Sequence, residues 1–236
     1  MRALFRKDFC AFFTGVKGYL FLAAFLAVGA GSLCAFAGEL SIARTQELMA
    51  NFHMGLIFLL PVLTMDSFSR EQLLGTDKLL LSGPLSVSAI VLAKFAATYA
   101  VYLIALALCA APVTIYLLAS GLPAGPLLTM LLGLTLFGMA AVALGNFLSS
   151  LSPRPLRAGI FTLLVLMVLW MVYSVLPGVT NTLLYSVLSG FSLFGRLVAL
   201  EYGFLRLSSV VYLCSFAIVF WLLTCMSIDL RRAGKV

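Results

Sequence analysis

Asp66-Ser-Phe-Ser-Arg-Glu-Gln-Leu-Leu-Gly-Thr-Asp-Lys-Leu-Leu-Leu-Ser-Gly-Pro-Leu-Ser86 separates two long apolar runs and carries five of the chain's 23 charged residues. Read as one helix over 70–81, it would gather Leu73, Leu74, Leu80 and Leu81 on one side, with Arg70 and Asp77 in the middle of that stripe. Such an internal conflict predicts a break. Gly75 suits the position just past a helix end, and Thr76 suits the cap of the next. The segment is therefore expected to be two short helices with a corner at Gly75-Thr76, turned back by Ser82-Gly83-Pro84 into the following apolar run.

Outward from this segment the chain is built for lipid. Its residues are 63% hydrophobic and 10% charged, with a mean hydropathy of +1.16, which excludes an ordinary soluble domain. A helix needs about 20 apolar residues to cross about 30 Å of hydrocarbon, and helices are the default there because no water serves the backbone. Six stretches qualify, at about 18–38, 50–66, 88–119, 127–149, 158–176 and 208–228. Alternating ten-residue strands of the outer-membrane barrel kind are absent. The expected fold is thus all-α: one polytopic membrane domain over 1–236 with six transmembrane helices and no linker or repeat.

The net charge of +7 is explained by its distribution. With the N-terminus in the cytoplasm, Arg2, Arg6, Lys7, Lys17, Arg70, Lys78, Lys94, Arg154, Arg157, Arg231, Arg232 and Lys235 fall on or near the inner face. Only Arg44, Arg196 and Arg206 fall outside, a split of 12 to 3. This positive-inside bias makes both termini cytoplasmic and removes the case for nucleic acid. The first 37 residues mimic a signal peptide up to Ala35-Phe36-Ala37, but the apolar run is longer than an h-region and 17 residues precede it, so a retained first span is expected. Cys10, Cys34, Cys109, Cys214 and Cys225 stand singly without metal spacing and read as core residues.

Residues 2–16 set Phe5, Phe9, Phe12, Phe13 and Val16 at helical spacing, with Arg2, Arg6, Lys7 and Asp8 mostly elsewhere around the turn. That pattern predicts an amphipathic helix in the membrane interface, bent at Gly15 and Gly18 into the first span. Residues 39–49 read as a short polar outer loop. Lys94 is expected to snorkel to the headgroups, and Pro112 to kink the far end of its span. Residues 177–207, with Tyr185, Phe191, Phe194, Arg196, Glu201 and Tyr202, are too polar to span and too aromatic for a plain loop. They read as outer helices that dip into the membrane or lie on it.

Glu71, Gly75-Thr76, Leu79-Leu80 and Pro84, with Lys94 beyond, resemble the pattern of ABC-2-type permeases, most closely the gliding-motility (GldF-like) subgroup and more distantly the nitrous-oxide-maturation permease NosY. Leu4-Phe-Arg-Lys-Asp-Phe9 leading through Gly18-Tyr19, Gly145 with Ser149-Ser150, and Val211-Tyr212 with Arg231-Arg232 extend the resemblance over nearly the whole chain. It implies a half-transporter: two permease copies or paralogues, each on a cytoplasmic ABC ATPase. It further implies a coupling helix over 69–81 (Arg70, Glu71, Leu74, Gly75, Thr76, Asp77, Lys78), a connecting helix over 2–16 (Phe5, Arg6, Lys7, Phe9, Phe12), and re-entrant helices at about 180–205. ATP and Mg would belong to the ATPase, since no G-x-x-x-x-G-K-[ST] exists here to cradle phosphates. The chain itself needs no cofactor, and the expected location is the inner (plasma) membrane, with an extracytoplasmic auxiliary protein as a further partner.

No constellation suits an enzyme. His53 is the only histidine, which removes the usual parts of triads and zinc sites, and it reads as an interfacial hydrogen-bonding residue near the outer end of span two. Asp66 is the carboxylate nearest a span interior, and none of the eight acids falls at a midplane, which weighs against proton or sodium coupling. Met54, Met65, Met130, Met139, Met167 and Met171 read as core, and Ala141 with Gly145 as a close helix contact. A secondary transporter or channel, and a membrane assembly factor without transport, are the competing readings.

Overall fold

The computed structural model describes residues 2–35, 42–77, 83, 85–119, 124–178, 188–190, 192–203 and 205–232. Helix α1 runs Arg2–Thr14, α2 Val16–Ala35, α3 Ile42–Thr64, α4 Ser69–Leu74, α5 Val87–Ala119, α6 Ala124–Leu151, α7 Pro155–Val175, α8 Leu193–Glu201 and α9 Leu207–Arg232, with a 3-10 turn at Leu176–Gly178. No strand occurs among the described residues. Among the described residues, five helical segments are long and apolar enough to cross a membrane. The pair α1 and α2, bent by 70° between them, supplies a sixth if counted as one span. In such segments every interior backbone group is paired within its own helix, which lipid demands. The chain is a multi-pass membrane protein.

Helix α6 is the centre of the bundle, with Ala140 through Asn146 all buried. Around it Phe25 meets Phe52 and Tyr102 edge-on at 5.3 and 6.1 Å, and Phe137 meets Phe194 at 5.0 Å. Phe25, Tyr102, Phe137 and Phe194 are completely enclosed. The outward faces of α7 and α9, with Ile160, Phe161, Leu164, Val168, Ile218, Leu222 and Met226, are apolar and exposed, as a lipid-facing surface must be. Two glycines of α6 set the helix spacing. A Cβ on Gly138 would land on the Tyr102 ring, and one on Gly145 would land on Thr64 of α3.

Tyr102 has no room to retreat, because it is fully buried and its hydroxyl donates to the Leu134 carbonyl at 2.8 Å. Gly138→Ala is therefore expected to lose about 1–3 kcal/mol through overpacking. Thermal unfolding in detergent would read this loss, and an unchanged midpoint would show that α5 and α6 separate freely.

The apolar stretches start within a few residues of their expected bounds, that of α3 at Phe52, but the polar outer loop expected at 39–49 is largely helical. Helix α3 begins at Ile42, not near residue 50, so Arg44 and Glu47 are helical and not in an outer loop. The sequence Ile42-Ala-Arg-Thr-Gln-Glu-Leu-Met-Ala50 is made largely of good helix formers. Hydropathy registers what lipid accepts, whereas propensity registers what continues a helix, and here the two end at different places. His53 consequently becomes the middle residue of α3. Helix α5 continues through Pro112 to Ala119. Residues 36–41, 120–123 and 179–187, which include Tyr185, lie outside the described residues, as do Phe191, Lys78 to Ser82 and Pro84.

Candidate functional site

At the end of the bundle reached by α3, the chain leaves Thr64 through a turn and forms α4. The residue before this helix, Phe68, offers no capping side chain, so its first amides need an outside acceptor. Ser149, 81 positions further on in α6, supplies it. Its hydroxyl accepts from the Phe68 and Ser69 amides at 3.1 Å each and donates to the Met65 carbonyl at 3.1 Å. The Ser69 hydroxyl returns a bond to the Ser149 carbonyl at 2.8 Å, and the Gln72 side-chain Nε2 donates to the Ser150 carbonyl at 2.9 Å. A six-residue helix, too short to persist alone, is thereby fastened to the central span.

Helix α4 ends at Gly75, whose φ of 69° is the left-handed conformation that glycine adopts without a Cβ penalty. The Gly75 amide returns to the Gln72 carbonyl and the Thr76 amide to the Glu71 carbonyl, at 3.2 and 3.0 Å. The chain turns at Gly75-Thr76, where a corner is expected; the residues of the second short helix expected beyond Asp77 lie outside the described ones. Arg70, Leu73, Leu74, Gly75 and Thr76 are exposed, with Leu73 and Leu74 showing 58% and 64% of their surface.

The opposite side of α4 faces a charged cluster. Lys94 of α5, only 3% exposed, places Nζ 3.0 Å from Glu71 Oε2 and 3.4 Å from Asp8 Oδ2. It also donates to the Ser67 carbonyl at 2.9 Å and lies 5.2 Å from the Phe68 ring centre. Lys7 closes the group at 3.2 Å from Glu71 Oε1 and 4.0 Å from Asp8 Oδ1. Burial raises the Asp8 carboxyl above its ordinary value; Lys94 opposes that rise, Glu71 adds to it, and Lys7 opposes it. Three elements, α1, α4 and α5, are thus joined through one buried ammonium. Lys94 does not snorkel to headgroups, as the sequence suggests it should, because two carboxylates and a carbonyl already meet it inside. A cavity of about 600 Å³ opens beside the cluster, lined among others by Asp66, Arg70, Leu74 and Phe12.

The 70° bend places α1 across the foot of α5, with Leu4 buried against Ile90 and Ala93. Phe5 stacks on Phe9, Phe9 tilts against Phe13, and Phe9, Phe12 and Phe13 pack on the main core. Arg6 and Lys7 point away from that face and are exposed. Gly18 permits the tight bend, since a Cβ there would land on the Phe12 backbone.

A second polar contact lies toward the other end. Glu201, the last residue of α8, is 3% exposed, and its Oε1 lies 2.8 Å from Nδ1 of His53, itself 4% exposed. His53 stands 11 residues above the end of α3, about 16 Å along the helix axis. An acid is thus enclosed by protein, and His53, one residue inside the apolar stretch that begins at Phe52, is its hydrogen-bond partner. The signal available in the sequence was only a lone histidine and a lone glutamate, 148 positions apart. Among the described residues no group of three or more His, Cys, Asp or Glu side chains is placed to hold a metal ion.

No curated protein matches this chain. The sequence profile described as "ABC-2 family transporter protein" matches residues 36–228, which include α3 to α8, Lys94, Ser149 and both members of the His53–Glu201 contact. With four-fifths of its length so matched, the chain belongs to the ABC-2 family of transporter proteins, non-catalytic membrane subunits that normally pair with an ABC ATPase.

Proposed function

We propose that this chain is the permease half of an ATP-driven transporter of the GldF-like kind, and that α4 with its Gly75-Thr76 corner is the element that docks on a separate ABC ATPase. The observation carrying this reading is that α4 is fastened to α6 through Ser149 and Gln72 while Arg70, Leu73 and Leu74 stay exposed at its tip. Apolar residues rimmed by charge, on a short helix outside the spans, suit a protein partner. A push on that tip would reach α5 through Glu71 and Lys94 and reach α1 through Asp8 and Lys7. The ATPase binds ATP and Mg, this chain pairs with a second copy or a paralogue in the inner membrane, and both termini lie in the cytoplasm. The work done is export of a substrate, or transmission of motion to an extracytoplasmic partner.

Replacing Gly75 by valine forces a β-branched residue into the left-handed region, and replacing Glu71 by alanine removes the link to Lys94. Both variants are expected to insert normally while ATP hydrolysis by the copurified ABC ATPase loses its dependence on this chain, about tenfold or more. Full stimulation in both would take the coupling role away from α4. The buried His53–Glu201 contact is the one feature favouring an ion-coupled carrier instead. Flux driven by an ion gradient through the chain alone, without ATPase, would establish that reading.

A further inference from the structure

Helix α8 holds an unusual position for its composition. Leu193, Phe194, Leu197 and Leu200 are fully enclosed, and Leu197 and Leu200 lie against Gly133, nine residues into α6, about 14 Å below its first residue. In water such an apolar face would hold the helix in place unaided. Within a bilayer it does so only by a small margin, because lipid tails are nearly as apolar as leucine and burial against protein gains little over burial against lipid. An unpartnered charge outweighs that margin. Directional polar contacts then decide where the helix sits. The Ser192 cap on the Gly195 amide is internal to α8 and favours no position. Arg196 lies over the Tyr212 ring of α9 at 5.5 Å but is only half-buried, so water can serve its charge in place of the ring. The His53–Glu201 contact differs: it joins α8 to α3, both partners are almost wholly enclosed, and Glu201 alone would be better solvated outside the bundle.

We propose that His53 is a positioning residue whose contact with Glu201 holds α8 in its inserted place. The helix has two settings. Inserted, Glu201 is satisfied by His53; withdrawn toward the outer surface, it is satisfied by water. His53 supplies the difference between them. Resting on the permease reading above, release of this contact is the step by which the outer end of the bundle opens during the transport cycle.

The two halves of the contact are not equivalent, and the test uses that inequality. In a chain whose native cysteines are replaced by alanine, Leu197→Cys reports insertion through its rate of reaction with a membrane-impermeant maleimide in proteoliposomes. Removing His53 (H53A) strands Glu201 in an apolar interior, so α8 should withdraw and labelling should rise about tenfold or more. Removing Glu201 (E201A) makes α8 more apolar, and labelling should stay at the parent's rate. The double variant H53A/E201A should return to that low rate, although it has lost both side chains. A contact that merely fills space would make the double variant the worst of the three. Labelling in H53A equal to the parent, or a double variant labelled or unfolded as badly as H53A, overturns the proposal. These measurements use the chain without ATPase, so a failure of ATPase coupling elsewhere leaves them intact. In the complex with the copurified ATPase, ATP should accelerate labelling of the reporter in the chain that keeps His53 and Glu201; absence of that acceleration overturns the opening step alone.

Discussion

Lys94→Met is expected to lose about 3–5 kcal/mol of stability and, with it, the buried link from α5 to Glu71 of α4 and Asp8 of α1. Lys94 is 3% exposed, so no headgroup or water replaces it when it is removed. Asp8 and Glu71, each with 16% of its side chain exposed, would then face one another with only the exposed Lys7 beside them. The partner substitution separates the effects. Asp8→Asn should be mild, because burial already pushes this carboxyl toward its neutral form. The sign of the pH dependence follows. A carboxyl whose folded value is raised binds protons more readily when folded, so as pH falls from that raised value to the ordinary carboxylate value of 3.8 this group favours the folded chain. That contribution should be absent in Asp8→Asn. Thermal unfolding across this window in detergent measures both. A Lys94→Met chain as stable as the parent would mean that the cluster holds nothing together.

Ser149→Val should be nearly as damaging for a different reason. It strands the Phe68 and Ser69 amides, each costing about 1–3 kcal/mol when buried without an acceptor, or about 2–6 kcal/mol together. The loss is local: α4 should unfasten from α6 while the main core around Phe25, Tyr102 and Phe137 stays closed. Amide hydrogen exchange read by mass spectrometry is expected to speed up over residues 68–74 and not over 134–146. Ser149→Thr keeps a hydroxyl and should retain protection. Exchange in α4 that does not change in the valine variant would transfer the cap to another group.

The parts of this architecture visible in the sequence are those decided by local rules. Gly75 had to end α4 because a helix through it would bury Arg70 and Asp77 among leucines, and its left-handed backbone bears that out. Phe5, Phe9 and Phe12 declared the packed face of α1 by their spacing. The parts that stayed hidden depend on residues distant in the chain. Lys94 reads as a snorkelling lysine until Glu71 and Asp8 are seen around it, and Ser149 reads as a loop serine until the uncapped α4 meets it. Residues 42–49 read as a polar loop because Arg44 and Glu47 lower hydropathy without breaking a helix, so α3 extends outward beyond its apolar stretch. The outer helices read from 177–207 leave open whether they dip or lie flat, because nothing within α8 announces that His53 waits for Glu201.

The separation of His53 from Glu201 also bears on how the protein is made. At about 5–20 residues per second, the 148 positions between them take roughly 7 to 30 s to synthesise. Throughout that interval α3 is present with its histidine unanswered, whereas Lys94 emerges after both of its carboxylates and is matched at once. An imidazole tolerates such a wait in its neutral form better than a carboxylate would. For this pair the order of the chain thus puts the forgiving partner first and the demanding one last, so Glu201 is made with its histidine already in place.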